Sequence, residues 1–443
     1  MRGCLGAKWQ SARAIASLRP DFCRRRKTWR ADLILVRMAA GQYCKALCLY
    51  QPDFSRGIDP LFIALHGAQL MVAIERKPEP IPETFLSRAN GKTFEAVRRL
   101  LEGTEQRPLI SSSLLSDTEA GALGVPPSVI ASVQDLARPL VDVLNRGGKG
   151  WRGYALAICC EIVGGHFDRL EDWLAFSEIL HAGSLIVDDV EDGARLRRGG
   201  PACHLVYGTP NAINSGTLAY FQVQFLIENS GLTDGRKAAI YKEYVDLLRI
   251  AHIGQGLDLG LSISSPLLHD LSDSGMAVVE EHVCVSHRLK TGVPFRAFAR
   301  IGATLGNGSA EEITALGDFF LALGTAYQAI DDVINVAGLK NNAKERGEDL
   351  RTGRITLPVV HFLRAAAPAQ RQDLLAEFRS ATTDAPTHHR LLDSLAGSGV
   401  LDLCRTRARH AVRSELETLG RIFPPAHLQT LDQFATLVIE DYY

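Results

Sequence analysis

Two acidic clusters stand at the ends of strongly apolar segments, Ile186-Val187-Asp188-Asp189-Val190-Glu191-Asp192 and Ala329-Ile330-Asp331-Asp332-Val333-Ile334-Asn335. In a helix, positions i and i+4 share a face, so Asp188 aims beside Asp192 and Asp331 beside Asn335, with Asp189 and Asp332 one step round. Carboxylates this close repel one another and lose hydration beside Leu185, Ile186 and Val187, and hard cations relieve both costs. Magnesium suits such a claw, since it accepts a few carboxylates and completes its shell from water and phosphate oxygens. The pair of clusters points to a metal and diphosphate site; each cluster alone reads equally as a solvated helix end.

A metal-bound diphosphate keeps excess negative charge and needs cationic partners. Gly147-Gly148-Lys149-Gly150-Trp151-Arg152-Gly153 presents Lys149 and Arg152 among glycines that permit close backbone approach, although a plain helix-ending turn looks the same. Arg195-Leu196-Arg197-Arg198-Gly199-Gly200 sets dense positive charge directly after the first acidic cluster, with simple salt bridging as the alternative. His181 lies two helical turns before Asp188, roughly 10 Å along the same face. A histidine in an apolar helix is usually a hydrogen-bonded core residue, but this alignment places it where it can meet a second anion.

The elements that must carry these groups are helical. From Pro126-Pro127-Ser128, prolines suited to a helix's first turn, apolar positions recur through Val129, Val133, Leu136, Leu140 and Leu144. Onward to Tyr443 the chain reads as successive long helices, chiefly Tyr154 to Val163, Leu170 to Val187, Ala212 to Leu226, Arg236 to His252, Val278 to Leu289, Gly292 to Leu305, Ala310 to Val336 and Thr356 to Ala366. No repeat of fixed period occurs, which disfavours a solenoid. The expectation is an all-α bundle over residues 121–443. Residues 1–120 form an extension of weak periodicity, broken at Lys77-Pro78-Glu79-Pro80-Ile81-Pro82, in which Pro60 to Ile74 and Thr93 to Leu101 are helix candidates.

Composition narrows the class further. A chain of 443 residues, 46% hydrophobic, can bury a large core. Its net charge of −1 argues against a general nucleic-acid binder. Nine cysteines, an odd number without a CxxC pair, suggest neither a disulfide framework nor a zinc site and favour a reducing compartment, with Cys159 and Cys160 in the core. No uninterrupted apolar run reaches the ~18 residues of a membrane span. The expected location is cytoplasmic. The basic start, Arg2, Lys8, Arg13, Arg19, Arg24, Arg25, Arg26, Lys27 and Arg30 against Asp21, leaves organelle targeting open.

Taken together, these residues resemble the trans-isoprenyl diphosphate synthases, specifically the geranylgeranyl diphosphate synthase branch, over roughly residues 126 to 370. Asp188-Asp189-Val190-Glu191-Asp192 is similar to the family's first aspartate-rich motif and Arg197-Arg198-Gly199 to its diphosphate-binding arginines. His181-Ala182-Gly183-Ser184-Leu185 resembles the stretch with the homoallylic-site histidine, and Gly148-Lys149 with Arg152 the lysine and arginine that hold isopentenyl diphosphate. Gly254-Gln255-Gly256-Leu257-Asp258, Lys290-Thr291-Gly292 and Tyr327-Gln328-Ala329-Ile330-Asp331-Asp332 follow in family order. Asn335 replaces an aspartate, as is common in the geranylgeranyl branch, and Arg354 stands where lysine is usual, which changes donor geometry.

The resemblance implies an isoprenoid-synthase bundle around a central cavity, a homodimer, and Mg2+, three ions with bound diphosphate. Asp188, Asp189, Asp192, Asp331, Asp332 and Asn335 would hold metal, and Arg197, Lys290, Lys344 and Arg354 the allylic diphosphate. Lys149, Arg152, His181 and Arg198 would anchor isopentenyl diphosphate, while Thr291 and Gln328 steady an allylic cation. Gly183 and Ser184, five and four residues before Asp188, would leave the pocket floor open beyond a farnesyl chain, towards geranylgeranyl diphosphate. Two other readings are a class I terpene cyclase, which needs no second anion site, and a non-catalytic partner subunit, which typically loses the aspartates.

Overall fold

The computed structural model describes residues 30–37, 43–50, 60–65, 68–73, 83–102, 114–169, 171–338 and 346–441. The chain divides into two compact units, Met1–Pro78 and Glu79–Tyr443.

In the first unit, β1 (Arg30–Arg37), β2 (Tyr43–Tyr50), β3 (Pro60–Leu65) and β4 (Ala68–Ala73) form an antiparallel sheet in the order β1-β2-β3-β4. The expected helix over Pro60 to Ile74 is therefore two paired strands. A short apolar run cannot be told from a buried helix by periodicity alone, and the His66-Gly67 interruption, with Phe62, Ile63 and Val72 around it, is the strand-like signal.

The second unit is built of helices: α1 (Glu83–Glu102), α2 (Arg138–Asn145), α3 (Trp151–Ile162), α4 (Glu171–Glu191), α5 (Thr209–Glu228), α6 (Asp234–Gly260), α7 (Asp273–His287), α8 (Val293–Leu305), α9 (Ala310–Ala337), α10 (Leu357–Ala365), α11 (Pro368–Ser380), α12 (Ala385–Gly397), α13 (Val400–Leu419) and α14 (Pro425–Thr436), with shorter helices between them. The α1 helix contains the predicted Thr93 to Leu101 segment and buries Ala89, Thr93, Ala96 and Val97 while packing on α3 and α4. Its burial moves the boundary of the helical unit from the expected 120/121 to Pro78/Glu79.

Helix pairs α4 with α5, α3 with α8, α8 with α9, and α9 with α13 make the principal packings. They enclose one large core centred on Phe176, Phe295, Phe298, Phe319 and Phe320, all fully buried. A second core, with Met276, Val333, Leu363 and Phe378, joins the C-terminal helices to α7 and the end of α9.

Glycines set how closely the site-bearing helices approach. A Cβ on Gly302 of α8 would lie 2.1 Å from the Leu156 carbonyl oxygen of α3, and one on Gly254 of α6 would lie 2.3 Å from the Lys290 amide. Backbone atoms cannot swing aside as side chains do, so Gly302→Ala forces α3 and α8 apart and costs about 1–3 kcal/mol. Gly256→Ala, on a helix and with open space around its Cβ, has the opposite sign, a gain of about 0.5–1 kcal/mol. Urea denaturation of both variants checks the pair, and equal stabilities would refute the close-packing account.

Candidate active site

A cavity of about 810 Å³ opens between α3, α4, α6, α8 and α9. One wall of its mouth carries Asp188 and Asp192, the facing wall Asp331 and Asp332, and the Gln255–Asp258 stretch of α6 and the Lys290–Thr291 turn lie between them. The opposite side of the same cavity carries Lys149, Arg152, His181 and Arg198. Two sets of groups suited to anions, one also bearing carboxylates, thus share one space.

Because α4 remains helical through Glu191 and the Asp192 amide still donates to the Asp188 carbonyl at 2.8 Å, Asp188 and Asp192 project together, as i,i+4 spacing requires. Both already have cationic partners. Lys290 Nζ reaches Asp188 Oδ1 at 3.3 Å and Asp258 Oδ2 at 2.7 Å, while Arg354 bridges Asp258, at 3.0 Å, and Asp192. Gln255 donates to Asp188 Oδ1 at 3.0 Å. Burial would raise the Asp188 pKa, but the Lys290 and Arg197 charges outweigh it and hold the carboxyl below its usual range. Asp192 is pushed up to about 6 by burial and by the Asp188 charge, against the pull of Arg354.

The turn that presents Lys290 and Thr291 is a π-helical insertion, Arg288–Gly292, between α7 and α8. Such widened turns re-aim side chains and recur at functional sites. Here the insertion points Lys290 at the carboxylates and lets the Thr291 hydroxyl donate to Gln328 Oε1 at 2.7 Å. Arg354, the arginine in a lysine position, uses its fork to grip two carboxylates at once, which an ammonium could not do with the same planarity.

Three of the predicted metal or floor residues are turned away from the cavity. Asp189 is fully buried, takes the Arg197 Nε–H at 2.7 Å on Oδ1, and leaves Oδ2 buried without a partner. Burial, set against the Arg197 bond, raises its pKa. Asn335 is not a wall residue: the chain turns back after α9, and Asn335 Oδ1 accepts the Asp349 amide at 3.2 Å at the start of the short helix Glu348–Arg351. Gly183 faces α5, where a Cβ would lie 2.7 Å from both the Ala219 Cβ and the Gly216 oxygen, so it is a helix seam rather than a pocket floor. Asp332 does border the cavity, but its Oδ2 takes the Leu357 amide at 3.0 Å and faces His287 Nε2 at 3.3 Å. Lys344 lies outside the described residues.

The cationic side has its own logic. His181 is held well below its ordinary pKa, first by burial and then by the charges of Arg152, Arg198, Arg197 and Lys149, so it is a neutral hydrogen-bonding group among cations. Lys149 Nζ donates to Tyr327 Oη at 3.1 Å and sits 4.8 Å from the Trp151 ring centroid. Glu178, 2% exposed and on the cavity wall, pairs with Arg198 at 3.5 Å. Sequence reading passed over Glu178, although its i,i+3 spacing to His181 places both on one face. It also passed over Tyr220 and His252, which border the cavity with Ser184 and stack edge to face at 5.2 Å; they come from α5 and α6, with no pattern linking them to α4. Below them Leu180, Leu247 and Phe298 continue the lining, with Leu180 about 12 Å below Asp188 by helical rise.

The donor chemistry fits a hard cation. Asp188, Asp192 and Asp331 offer carboxylate oxygens to the cavity, with no thiolate or imidazole among them, as magnesium requires. Among the described residues no three metal-binding side chains converge, so the fit rests on that donor chemistry.

Known proteins share this arrangement. The chain is 30% identical over 244 residues to a short chain isoprenyl diphosphate synthase of Methanothermobacter thermautotrophicus, covering 55% of this chain and 71% of that one. It is 30% identical to a geranylgeranyl pyrophosphate synthase of Penicillium canescens, covering 68% and 86%. Among solved structures, a polyprenyl synthase from Caulobacter crescentus, complexed with calcium and isoprenyl diphosphate, superposes with a TM-score of 0.63 at 23% identity over 81% of this chain and 97% of that one, a likeness of fold. The polyprenyl synthetase family model matches residues 133–395, more than half of the sequence and every wall of the cavity. This chain therefore belongs to the polyprenyl synthetase family and is a prenyltransferase of isoprenoid biosynthesis.

Proposed function

We propose that the chain is a magnesium-dependent geranylgeranyl diphosphate synthase, condensing an allylic diphosphate with isopentenyl diphosphate. The observation that carries this reading is the single cavity with two anion-binding sets, one mixed with carboxylates and one purely cationic apart from Glu178. Asp188, Asp192 and Asp331 would hold magnesium, which when bound supplies positive charge to the departing diphosphate. Lys290, Arg354 and Arg197 add to that charge, and Lys149, Arg152, His181 and Arg198 orient the isopentenyl diphosphate. The allylic C1–O bond breaks, C1 bonds to the terminal alkene carbon, and the proton lost from the adjacent carbon passes to the released diphosphate. Thr291 and Gln328 turn oxygen dipoles to the transient cation.

Product length follows from the floor. Ser184 is small, and an apolar lining continues past it to Leu180, Leu247 and Phe298, which favours a geranylgeranyl chain, with the Tyr220–His252 pair as the side wall. A cyclase acts on one diphosphate and leaves the Lys149–Arg152–Arg198 set without a purpose; a non-catalytic subunit leaves Asp188, Asp192 and Asp331 without one. Purified protein with magnesium, farnesyl diphosphate and labelled isopentenyl diphosphate should give a geranylgeranyl product. Asp188→Ala or Asp331→Ala should lower kcat at least ~100-fold. No extension of any allylic starter would defeat the proposal, and termination at farnesyl would defeat the floor argument alone.

Magnesium must meet Asp192 ionised. A carboxyl raised to about 6 is protonated below that pH, so magnesium affinity should fall as pH drops through about 6, and binding there should release a proton. Calorimetric titrations in two buffers of different ionisation enthalpy measure both effects. Equal affinities well above and well below that value would contradict the coupling.

A second copy of the chain is the proposed partner of the outer face of α5 and α6. Ile213 and Phe221 on α5, with Val245 and Ile253 on α6, recur at two-turn spacing and are exposed, Phe221 by 66% and Val245 by 56%. Sedimentation should find a dimer that Phe221→Glu converts to monomer; a wild-type monomer at micromolar concentration would rule this out.

A further inference from the structure

The two arginines nearest the cavity come from a very short hairpin. Strands Leu196–Arg197 and Gly200–Pro201, here β5 and β6, pair through a two-residue turn in which both Arg198 (φ 50°) and Gly199 (φ 75°) are left-handed. A left-handed arginine is strained, and two-residue strands cannot hold such a turn by themselves. The restraint comes from Arg146, the residue that ends α2. Its Nη1 donates to the Arg197 carbonyl at 3.0 Å and the Pro201 carbonyl at 2.8 Å, on either side of the turn. Its Nε and Nη2 grip Asp142 of the same helix at 3.1 and 2.6 Å, and Tyr207 donates to the same carboxylate at 3.4 Å. The guanidinium also lies against Gly200, where a Cβ would come within 2.8 Å of it.

Arg146 is followed at once by Gly147-Gly148-Lys149, and the Arg198 guanidinium abuts Gly148, where a Cβ would lie 2.8 Å from its nitrogen. One side chain therefore ties the loop that carries Lys149 to the hairpin that carries Arg197 and Arg198. We propose that Arg146, oriented by Asp142, is a positioning residue that sets the spacing between Lys149 and Arg198 and so governs capture of the isopentenyl diphosphate. Arg146 acts through the hairpin backbone. The inference rests on the diphosphate-handling function proposed above.

Its test uses the full-length protein and the variants Arg146→Met, Arg146→Lys and Asp142→Asn. Loss of charge-assisted hydrogen bonds to two carbonyls should raise KM for isopentenyl diphosphate roughly tenfold in Arg146→Met, with kcat within about threefold of wild type. Arg146→Lys, able to reach one carbonyl, should recover part of the loss, and Asp142→Asn should shift KM in the same direction by less. Amide exchange over Arg197–Pro201 should accelerate in Arg146→Met. Wild-type KM with unchanged exchange in that segment overturns the proposal, as does a fall in kcat with KM intact. If Arg146→Met does not fold, Asp142→Asn decides by the same two readouts. If the wild-type protein transfers no prenyl group, the functional reading fails by itself; calorimetric affinity for inorganic pyrophosphate and amide exchange over Arg197–Pro201 then decide the role of Arg146, the same values in Arg146→Met as in wild type overturning it.

Discussion

Everything at the cavity mouth depends on buried carboxylates that are neutralised by cations before any ligand arrives. Asp188, Asp192 and Asp258 stand close enough to repel, in surroundings that strip much of their hydration, and Lys290 and Arg354 are threaded among them. Ions taken out of water without such partners would cost several kcal/mol each. The helices α4, α6 and α9 can converge here only because these side chains settle the charge first. A metal with a diphosphate would then exchange partners within an existing lattice of charge, with little further drying of the site.

The architecture serves that lattice. Close approach at Gly254 and Gly302 draws α6 onto the Lys290 turn and α8 onto α3, and the π-helical insertion turns Lys290 and Thr291 inward. On the other side of the cavity the same need is met differently. His181 stays neutral because four cations surround it, and Glu178 offsets part of their repulsion, so the pocket is ready for an anion without flying apart in its absence.

Local periodicity made much of this legible. The Asp188 and Asp192 pair, His181 two turns away, and the long helices around them all follow from i,i+4 geometry in uninterrupted helices. Where the prediction failed, the deciding partner was distant in sequence. Asn335 has the same spacing from Asp331 as Asp192 has from Asp188, yet the returning chain at Asp349 claims its oxygen. Asp189 sits in the acidic run but is taken by Arg197. The run from Pro60 to Ile74 lacked length enough to separate helix from strand. Tyr220 and His252 enter the cavity from neighbouring helices, and no feature of the α4 sequence announces them.

The seam between Gly183 and Gly216 carries a consequence for redesign. Smallness beside an aspartate motif invites the idea that a bulky replacement would shorten the product, but at Gly183 the added atoms would meet the Gly216 carbonyl and the Ala219 methyl. Such a variant would wedge two helices apart and tilt the metal-bearing strip with them. Tailoring of chain length in this protein belongs to Ser184, whose side chain borders the space a growing prenyl tail would enter.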